Sequence, residues 1–294
     1  MTLRRITFPD LNVSSLFWTF CLLSCFLGAS TCRGQLTPDA AKAQTGSHAN
    51  GKNGKADANH EIGMLLNDNF NFAFGPPIRL PAAKLYIEHN GTAEDTGVHG
   101  LFDGVDWRLL RVHDPRGRVI LEVQPKRQLG TQSISGIFFE SAEPPNADVP
   151  IEEILRRFPE GQYAVSGRTA DGKQLIGAAT FTHNIPEIPV ITFPADESTV
   201  PATDLTVTWN HVTQTLFGDP LNRTGYEVIL TKDVPDDPNG FSRPALSIHV
   251  PPSVTSLTVP NEFLEPNSRY EIEIIVLEFS GNQTIASIFF QTGN

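Results

Sequence analysis

Cysteine is scarce in this sequence: the 294-residue chain contains three, Cys21, Cys25 and Cys32, all within its first 34 residues. Residues 35–294 can therefore form no internal disulfide. Thiol catalysis and cysteine-ligated zinc are excluded from the same stretch. Any domain in that part of the chain must depend on its hydrophobic core for stability.

Positive charge is also in short supply, with 22 Lys and Arg against 33 Asp and Glu and a formal net charge of -11. An acidic chain repels phosphate groups, so we expect no nucleic-acid partner and no binding to anionic membranes. The longest apolar run, residues 16–27, is 12 residues long. About 20 residues are needed to cross a bilayer, so no membrane span is expected.

The apolar run has the flanks of an export signal. Arg4 and Arg5 precede it and the small residues 28–30 follow it, which is the order found in secretory signal peptides. We predict a signal peptide over residues 1–34, with its exact cleavage site left open, and a secreted or cell-envelope location, extracellular or periplasmic. Cys25 and Cys32 each end a partial match to a bacterial lipobox, so a lipid anchor is the less favoured alternative.

Residues 35–77 are predicted to be a disordered tether. Leu36 is the one large apolar side chain between residues 35 and 60. Such a stretch cannot bury enough surface to offset the entropy lost on ordering.

From Lys84 onward the pattern favours short β-strands. Apolar runs flank two turn sequences, at residues 114–117 and at Asp171-Gly172, and both arrangements indicate hairpins. Only residues 151–158 have apolar side chains at helical spacing, enough for two turns at most. No long helix separates successive strands, so we predict an all-β fold of two immunoglobulin-like β-sandwiches in tandem. Their predicted bounds are residues 78–185 and 187–292.

The second block carries a specific resemblance. Leu205, Val207 and Trp209 alternate in one run, Tyr226, Val228 and Leu230 alternate in another, and Leu264-Glu-Pro266 precedes Tyr270. In this order the elements resemble a fibronectin type III domain, with Tyr270 at its tyrosine corner. The resemblance implies a seven-stranded sandwich used as a spacer or binding module, without catalytic residues. It carries over no integrin-type adhesion motif, because the chain has no Arg-Gly-Asp tripeptide, and residues 233–245 are longer than the family's middle loop.

The first block has a weaker likeness. Residues 157–163, 167–172 and 180–183 are similar to a segment that precedes type III domains in uncharacterised secreted bacterial proteins. That likeness names no activity. The turn that leads into Tyr163 imitates a tyrosine corner, which supports a second immunoglobulin-like sandwich.

Motifs for enzyme chemistry are missing. There is no Gly-x-Ser-x-Gly elbow and no Gly-x-Gly-x-x-Gly loop, and the run from His60 to Met64 lacks the second histidine of a metalloprotease helix. Eight histidines are spread along the chain, and packing or surface roles are commoner for such residues than a zinc site. We therefore predict no catalytic, cofactor-binding or metal-binding residues, and no cofactor.

One acidic constellation leaves alternatives open. Its members fall in one strand–turn–strand stretch: Glu88, Glu94, Asp95, Asp103 and Asp106, with Asn90 nearby. Converging oxygens of this kind could hold Ca²⁺, although the spacing does not match a calcium-loop motif. Ordinary solvated turns are the favoured interpretation. A glycosidase acid–base pair is a further alternative, supported only by Trp107 as a neighbouring aromatic residue.

The function predicted from these observations is that of a non-catalytic, exported surface or envelope interaction module that binds a protein or glycan partner. A glycan-directed hydrolase or its accessory module is the first alternative. A Ca²⁺-stiffened structural stalk is the second.

Overall fold

The computed structural model describes residues 75–234 and 245–294. The predicted signal peptide, nearly all of the predicted tether, all three cysteines and most of the long loop at 233–245 lie outside the described residues. Within the described ranges, no helix is long and apolar enough to cross a membrane.

The described chain is mostly β-strand, which confirms the all-β prediction. In chain order the strands are β1 Ile78–Arg79, β2 Ala82–Asn90, β3 Asp95–His113, β4 Val119–Val123, β5 Ile134–Glu140, β6 Gly161–Thr169, β7 Gln174–Phe181, β8 Ile191–Phe193, β9 Ser198–Val200, β10 Thr206–Trp209, β11 Arg223–Lys232, β12 Ala245–Val250, β13 Ser256–Thr258, β14 Arg269–Glu278 and β15 Gln283–Thr292. Two short helices, α1 Arg127–Gln132 and α2 Ile151–Arg157, and a single 3₁₀ turn, Asn261–Phe263, complete the described elements.

Strands β1–β7 form the first sandwich, in which β3 serves both layers. The first half of β3 pairs with β2 and β5, and the second half pairs with β4 and β6. The strand bends near Gly104, which has a φ of +151° and lies so close to Pro81 that a Cβ would sit 2.2 Å from its Cδ. Only glycine meets both demands. Trp107, Leu110 and Phe102 are fully buried between the layers.

Strands β8–β15 form the second sandwich. A three-stranded sheet in the order β13-β10-β8 faces strands β12, β11, β14 and β15 of the larger sheet. Every side chain that alternation placed inward is buried: Leu205, Val207, Trp209, Tyr226, Val228, Leu230, Tyr270, Ile272, Ile274 and Val276. The Tyr270 hydroxyl donates to the Phe263 carbonyl at 3.2 Å and accepts from the Glu265 amide at 2.8 Å, so the predicted tyrosine corner is confirmed.

The two sandwiches are joined by direct strand pairing. Strand β15 runs parallel to β2, with Gln283 opposite Glu88 and Ile285 opposite Asn90, and this pairing merges both larger layers into one 12-stranded sheet. Asn282, only 1% exposed, fastens the joint. Its carbonyl oxygen accepts from the Ile87 amide at 2.8 Å, and its amide nitrogen donates to the Thr182 carbonyl at 3.0 Å.

The local predictions have clear outcomes. Both predicted hairpins form, β3–β4 and β6–β7, with Gly117 at φ +77° and Gly172 at φ +87° in their turns. Helix α2 occupies the predicted position. Helix α1 was missed because its sequence contains Gly130 and offers Leu129 alone as a large apolar side chain, which is exposed. The domain bounds 78–185 and 187–292 stay predictions.

Candidate functional site

A cluster of ionisable side chains lies on the outer face of the large sheet, beside the joint. Successive residues of β2 point to opposite faces: Leu85 and Ile87 enter the first core, whereas Tyr86 and Glu88 point outward. The antiparallel register sets Tyr86 opposite His99 of β3. His99 therefore lies on the same face as Glu88, in the diagonal position across the strand pair.

Glu143 completes the cluster from the loop after β5. It can approach because Gly97 has no side chain: a Cβ on Gly97 would lie 2.5 Å from the Glu143 Cγ and Oε1. Gly97 is also the residue directly opposite Glu88. The missing side chain thus leaves the space through which Glu143 reaches the ring of His99.

The two nitrogens of His99 face two carboxylates. Nε2 lies 2.6 Å from Glu143 Oε1, a hydrogen bond, while Nδ1 lies 3.7 Å from Glu88 Oε2 and has no hydrogen-bond partner among the described residues. One ligand atom of each residue lies within 4.8 Å of the other two. Within residues 75–234 and 245–294, this is the one group of three His, Cys, Asp or Glu side chains close enough to share a metal ion.

Aromatic rings and an amide enclose the cluster. Tyr86 and Phe138 contact the His99 ring edge-on, with centroid distances of 5.4 and 5.8 Å. Gln283 of the second sandwich donates its side-chain amide to Glu88 Oε2. His99 is 1% exposed and Glu88 is 7% exposed, so the cluster lies in a poorly solvated environment.

Burial has the largest single effect on the pKa values of Glu88 and His99. Desolvation raises the pKa of Glu88 to about 7, and the Glu143 charge adds to this while His99 and Gln283 oppose it. Burial alone would lower the pKa of His99, but the hydrogen bond to Glu143 and the charges of Glu88, Glu143 and Glu140 outweigh it and raise that pKa. Desolvation also raises the pKa of Asp95 to about 6. Glu88 and His99 therefore hold protons more readily than free glutamate and histidine side chains would.

The same face continues across the joint onto the second sandwich. Glu273 of β14 and Glu227 of β11 are 3% and 2% exposed. Desolvation, followed by the charges of Glu271, Glu88 and Glu227, raises the pKa of Glu273 to about 8. Glu227 accepts from the Ser247 hydroxyl at 2.5 Å and lies 3.1 Å from His249 Nε2.

The acidic constellation of the sequence is not gathered at one point. Asp95 and Asp103 lie on the same regular stretch of β3, eight residues apart, a separation of about 26 Å at the rise of a strand. Glycosidase carboxyl pairs are roughly 5–10 Å apart, so these two cannot act as such a pair. Glu94 occupies the β2–β3 turn with φ +56°, and the Asp106 carbonyl accepts from the Ala170 amide. Glu88 alone of this set joins the cluster at His99.

The histidines are equally dispersed. His48 and His60 lie outside the described residues. Apart from His99, the described histidines each have a separate polar neighbour: His89 the Thr96 hydroxyl, His113 the Ser166 hydroxyl, His183 the Phe158 carbonyl, His211 the Arg223 guanidinium and His249 the Glu227 carboxylate.

Sequence reasoning missed Glu143 and Gln283. A signal existed for the Glu88–His99 pair, because Asn90-Gly91 marks a turn between the two strands and alternation puts both side chains on one face. No local signal indicates Glu143, which lies in the irregular loop 141–150, or Gln283, which is 195 residues from Glu88.

A surface depression with a volume of about 350 Å³ also lies at the joint. Phe279 forms part of its lining and is 73% exposed. The other lining side chains are mostly polar: Lys84, Thr180, Thr182, Asn184, Asn222, Glu278 and Ser280, with Ala83. Thr182 and Ser280 hydrogen-bond to each other at 2.6 Å, so this part of the lining joins the two sandwiches.

Comparison with known proteins gives fold neighbours. No family model matches the chain, and no curated protein matches it. Among solved structures, the FN1-FN3 domains of chicken CNTN1 share 14% identity with a TM-score of 0.30, covering 74% of this chain and 68% of that one. The third fibronectin III domain of human KIAA0343 protein shares 20% identity with a TM-score of 0.29, covering 38% of this chain and 87% of that one.

Adhesins also occur among these neighbours. A structure from a 1.5-MDa bacterial ice-binding adhesin shares 13% identity with a TM-score of 0.25, covering 75% of this chain and 66% of that one. The neighbours are thus fibronectin type III and immunoglobulin-like β-sandwich domains, in line with the resemblance of the C-terminal region to fibronectin type III.

Proposed function

We propose that this chain is a non-catalytic interaction module of a cell surface or envelope, and that it binds a glycan in the depression beside Phe279. The observation that carries the proposal is the combination of a largely exposed aromatic ring with side-chain amides and hydroxyls around one concave surface. The export signal over residues 1–34, the tether over 35–77 and the two-domain division belong to the same proposal and are supported by the sequence patterns.

The chemistry of the depression suits a sugar. The C–H faces of a pyranose ring are apolar and pack against an aromatic face, here Phe279. Sugar hydroxyls both donate and accept, and so do the amides of Asn184 and Asn222. A site of a few hundred Å³ with convergent polar groups is of a size typical for small-ligand binding.

The position of the depression supports the proposal further. Its walls come from both sandwiches, which the β2–β15 pairing and the bonds of Asn282 hold together. Binding groups that are fixed before the ligand arrives lose less entropy on binding. A spacer-type fold joined in this way presents a preformed concave surface.

The test is a glycan array followed by titration calorimetry with the best glycan. Phe279→Ala should weaken binding at least 10-fold because it removes the stacking surface. Phe193→Ala is the matched control, since Phe193 is 45% exposed on β8 of the other sheet and does not line the depression. It should leave the affinity unchanged.

Other outcomes discriminate the alternatives. A captured protein whose binding is lost in Phe279→Ala, with no glycan bound, would show that the depression serves a protein partner instead. Hydrolysis of a glycan by the wild-type chain would refute the non-catalytic assignment. Equal loss or equal retention of binding in both Phe variants would show that Phe279 is not the contact.

A further inference from the structure

We infer that Glu88, His99 and Glu143 form a site for a divalent transition-metal ion, with His99 Nδ1 and the Glu88 carboxylate as ligands and Glu143 as a positioning residue. This inference concerns the outer sheet face and is independent of the glycan proposal.

The hydrogen bond to Glu143 determines the tautomer of His99. The 2.6 Å separation of Nε2 and Glu143 Oε1 is a hydrogen bond in which the ring nitrogen donates, because an ionised carboxylate can only accept. In its neutral form the imidazole therefore keeps its proton on Nε2 and its lone pair on Nδ1. Nδ1 is buried, and no group of the described chain donates to it. A bare, buried lone pair of this kind is rare and requires an explanation.

The gap between His99 Nδ1 and Glu88 Oε2 has the width of a bound metal ion. Nδ1 and Glu88 Oε2 are 3.7 Å apart, too far for a hydrogen bond. Two ligand atoms on one ion with bonds of about 2.0–2.2 Å are separated by roughly 3.3–3.7 Å at tetrahedral or slightly wider angles. The spacing of these two acceptors therefore fits an ion held between them.

Neighbouring groups hold the two ligands, His99 and Glu88, in position. A metal-bound histidine commonly donates its other ring N–H to a carboxylate, which fixes the ring's tautomer and orientation. Glu143 occupies that position on His99, and the Gln283 amide donates to Glu88. Tyr86 and Phe138 provide an apolar enclosure for the ring.

The charges around the cluster also favour a bound cation. Among the described residues, the ion pairs of Glu88 and Glu143 all involve His99, and no Lys or Arg takes part. A divalent cation that displaces the protons of Glu88 and His99 balances the charge of the two carboxylates. Mixed nitrogen and oxygen ligands favour Zn²⁺ and Co²⁺ over Mg²⁺ or Ca²⁺.

The experiment uses the full chain without an affinity tag, treated with chelator and refolded at pH 7.5 with Zn²⁺ or Co²⁺. We expect one Zn²⁺ per chain by elemental analysis after dialysis, and visible absorption bands from bound Co²⁺. With free Zn²⁺ at 100 times its Kd, the melting temperature should rise by roughly 5–10 °C.

Variants locate the ion. Glu88→Gln and His99→Gln should lose the bound metal and the Co²⁺ bands, while Glu143→Gln should weaken binding by about 10–100-fold. Glu122→Gln and His113→Gln are matched controls away from the cluster and should bind as the wild type does. Circular dichroism shows whether each variant is folded. If His99→Gln does not fold, Glu88→Gln alone tests whether the cluster binds the ion.

The inference is overturned if no stoichiometric metal remains on the wild type, or if Glu88→Gln and His99→Gln retain it. A wild-type melting temperature that does not rise with added Zn²⁺ would overturn it as well.

Discussion

Three glutamates on the outer face of the joined sheet are almost completely buried: Glu88, Glu227 and Glu273. Burying a carboxylate favours its protonated form, and a tenfold change in the acid dissociation constant corresponds to about 1.4 kcal/mol between the two protonation states. Glu273 shows the effect most clearly, with a pKa raised to about 8. Individual side chains on this face therefore link the stability of the fold to pH.

We predict that wild-type stability falls as pH rises from about 5 to 8. Glu273 has an ordinary pKa of 4.5 when unfolded and about 8 when folded, so in this window the folded protein holds a proton that the unfolded chain releases. Stability is then fully present below the unfolded pKa and lost as pH rises through the folded one. In the metal-free protein, Glu88 and His99, whose pKa values are also raised, act in the same direction.

The substitution Glu273→Gln keeps the shape and removes the titration. It should be more stable than wild type at pH 8 by about 1–3 kcal/mol and nearly equal at pH 5, as measured by urea unfolding. Glu153→Gln is the control: Glu153 is partly exposed, and hydrogen bonds from Arg156 and Arg157 lower its pKa to about 2. Its titration falls below this window. Parallel pH profiles for Glu273→Gln and wild type would contradict the prediction.

At the scale of elements, strand register is the property that decides burial. In β10 the alternation sends Val207 and Trp209 into the second core, where the Trp209 ring meets Tyr226 at a centroid distance of 5.5 Å. A one-residue slip would exchange the buried and exposed faces of the strand. The tyrosine corner at Tyr270 and the bend of β3 at Gly104 set the positions at which the chain crosses from one layer to the other.

Trp209→Ala tests the register of β10. Because Trp209 is 3% exposed within a packed core, emptying its position should cost roughly 3–5 kcal/mol of unfolding free energy. Phe279→Ala also removes an aromatic ring, but one that is 73% exposed, so it should cost less than about 0.5 kcal/mol. Chemical denaturation of the three proteins gives both values, and a loss below about 1 kcal/mol for Trp209→Ala would contradict the assigned register.

For the whole molecule, the joint between the sandwiches is the decisive feature. The parallel pairing of β2 with β15 makes one sheet from two, and the Thr284 hydroxyl donates to the Pro186 carbonyl at 2.7 Å on the connecting segment. Both candidate sites lie at this joint. The depression is lined from both sides of it, and Gln283 reaches Glu88 across it.

Asn282→Ala should loosen the joint. The change leaves the Ile87 amide without its acceptor and removes two bonds to Thr182, at a cost of roughly 2–3 kcal/mol for buried groups left unpaired. Urea unfolding should show the loss, and small-angle X-ray scattering should show a larger radius of gyration. Asn184→Ala, which changes a lining residue of the depression, should change neither measurement. An unchanged radius for Asn282→Ala would show that other contacts hold the joint.

The sequence by itself determined the all-β class, the two glycine-containing hairpin turns, helix α2, the tyrosine corner and the buried faces of β10, β11 and β14. These features follow from alternation and turn chemistry over a few neighbouring residues. The tertiary structure alone decided the cluster at His99 and the β2–β15 joint. Glu143 reaches His99 through a loop and the space at Gly97, and Gln283 meets Glu88 from 195 residues away. Pairings of that range depend on how whole layers pack, so no local pattern in either strand specifies them.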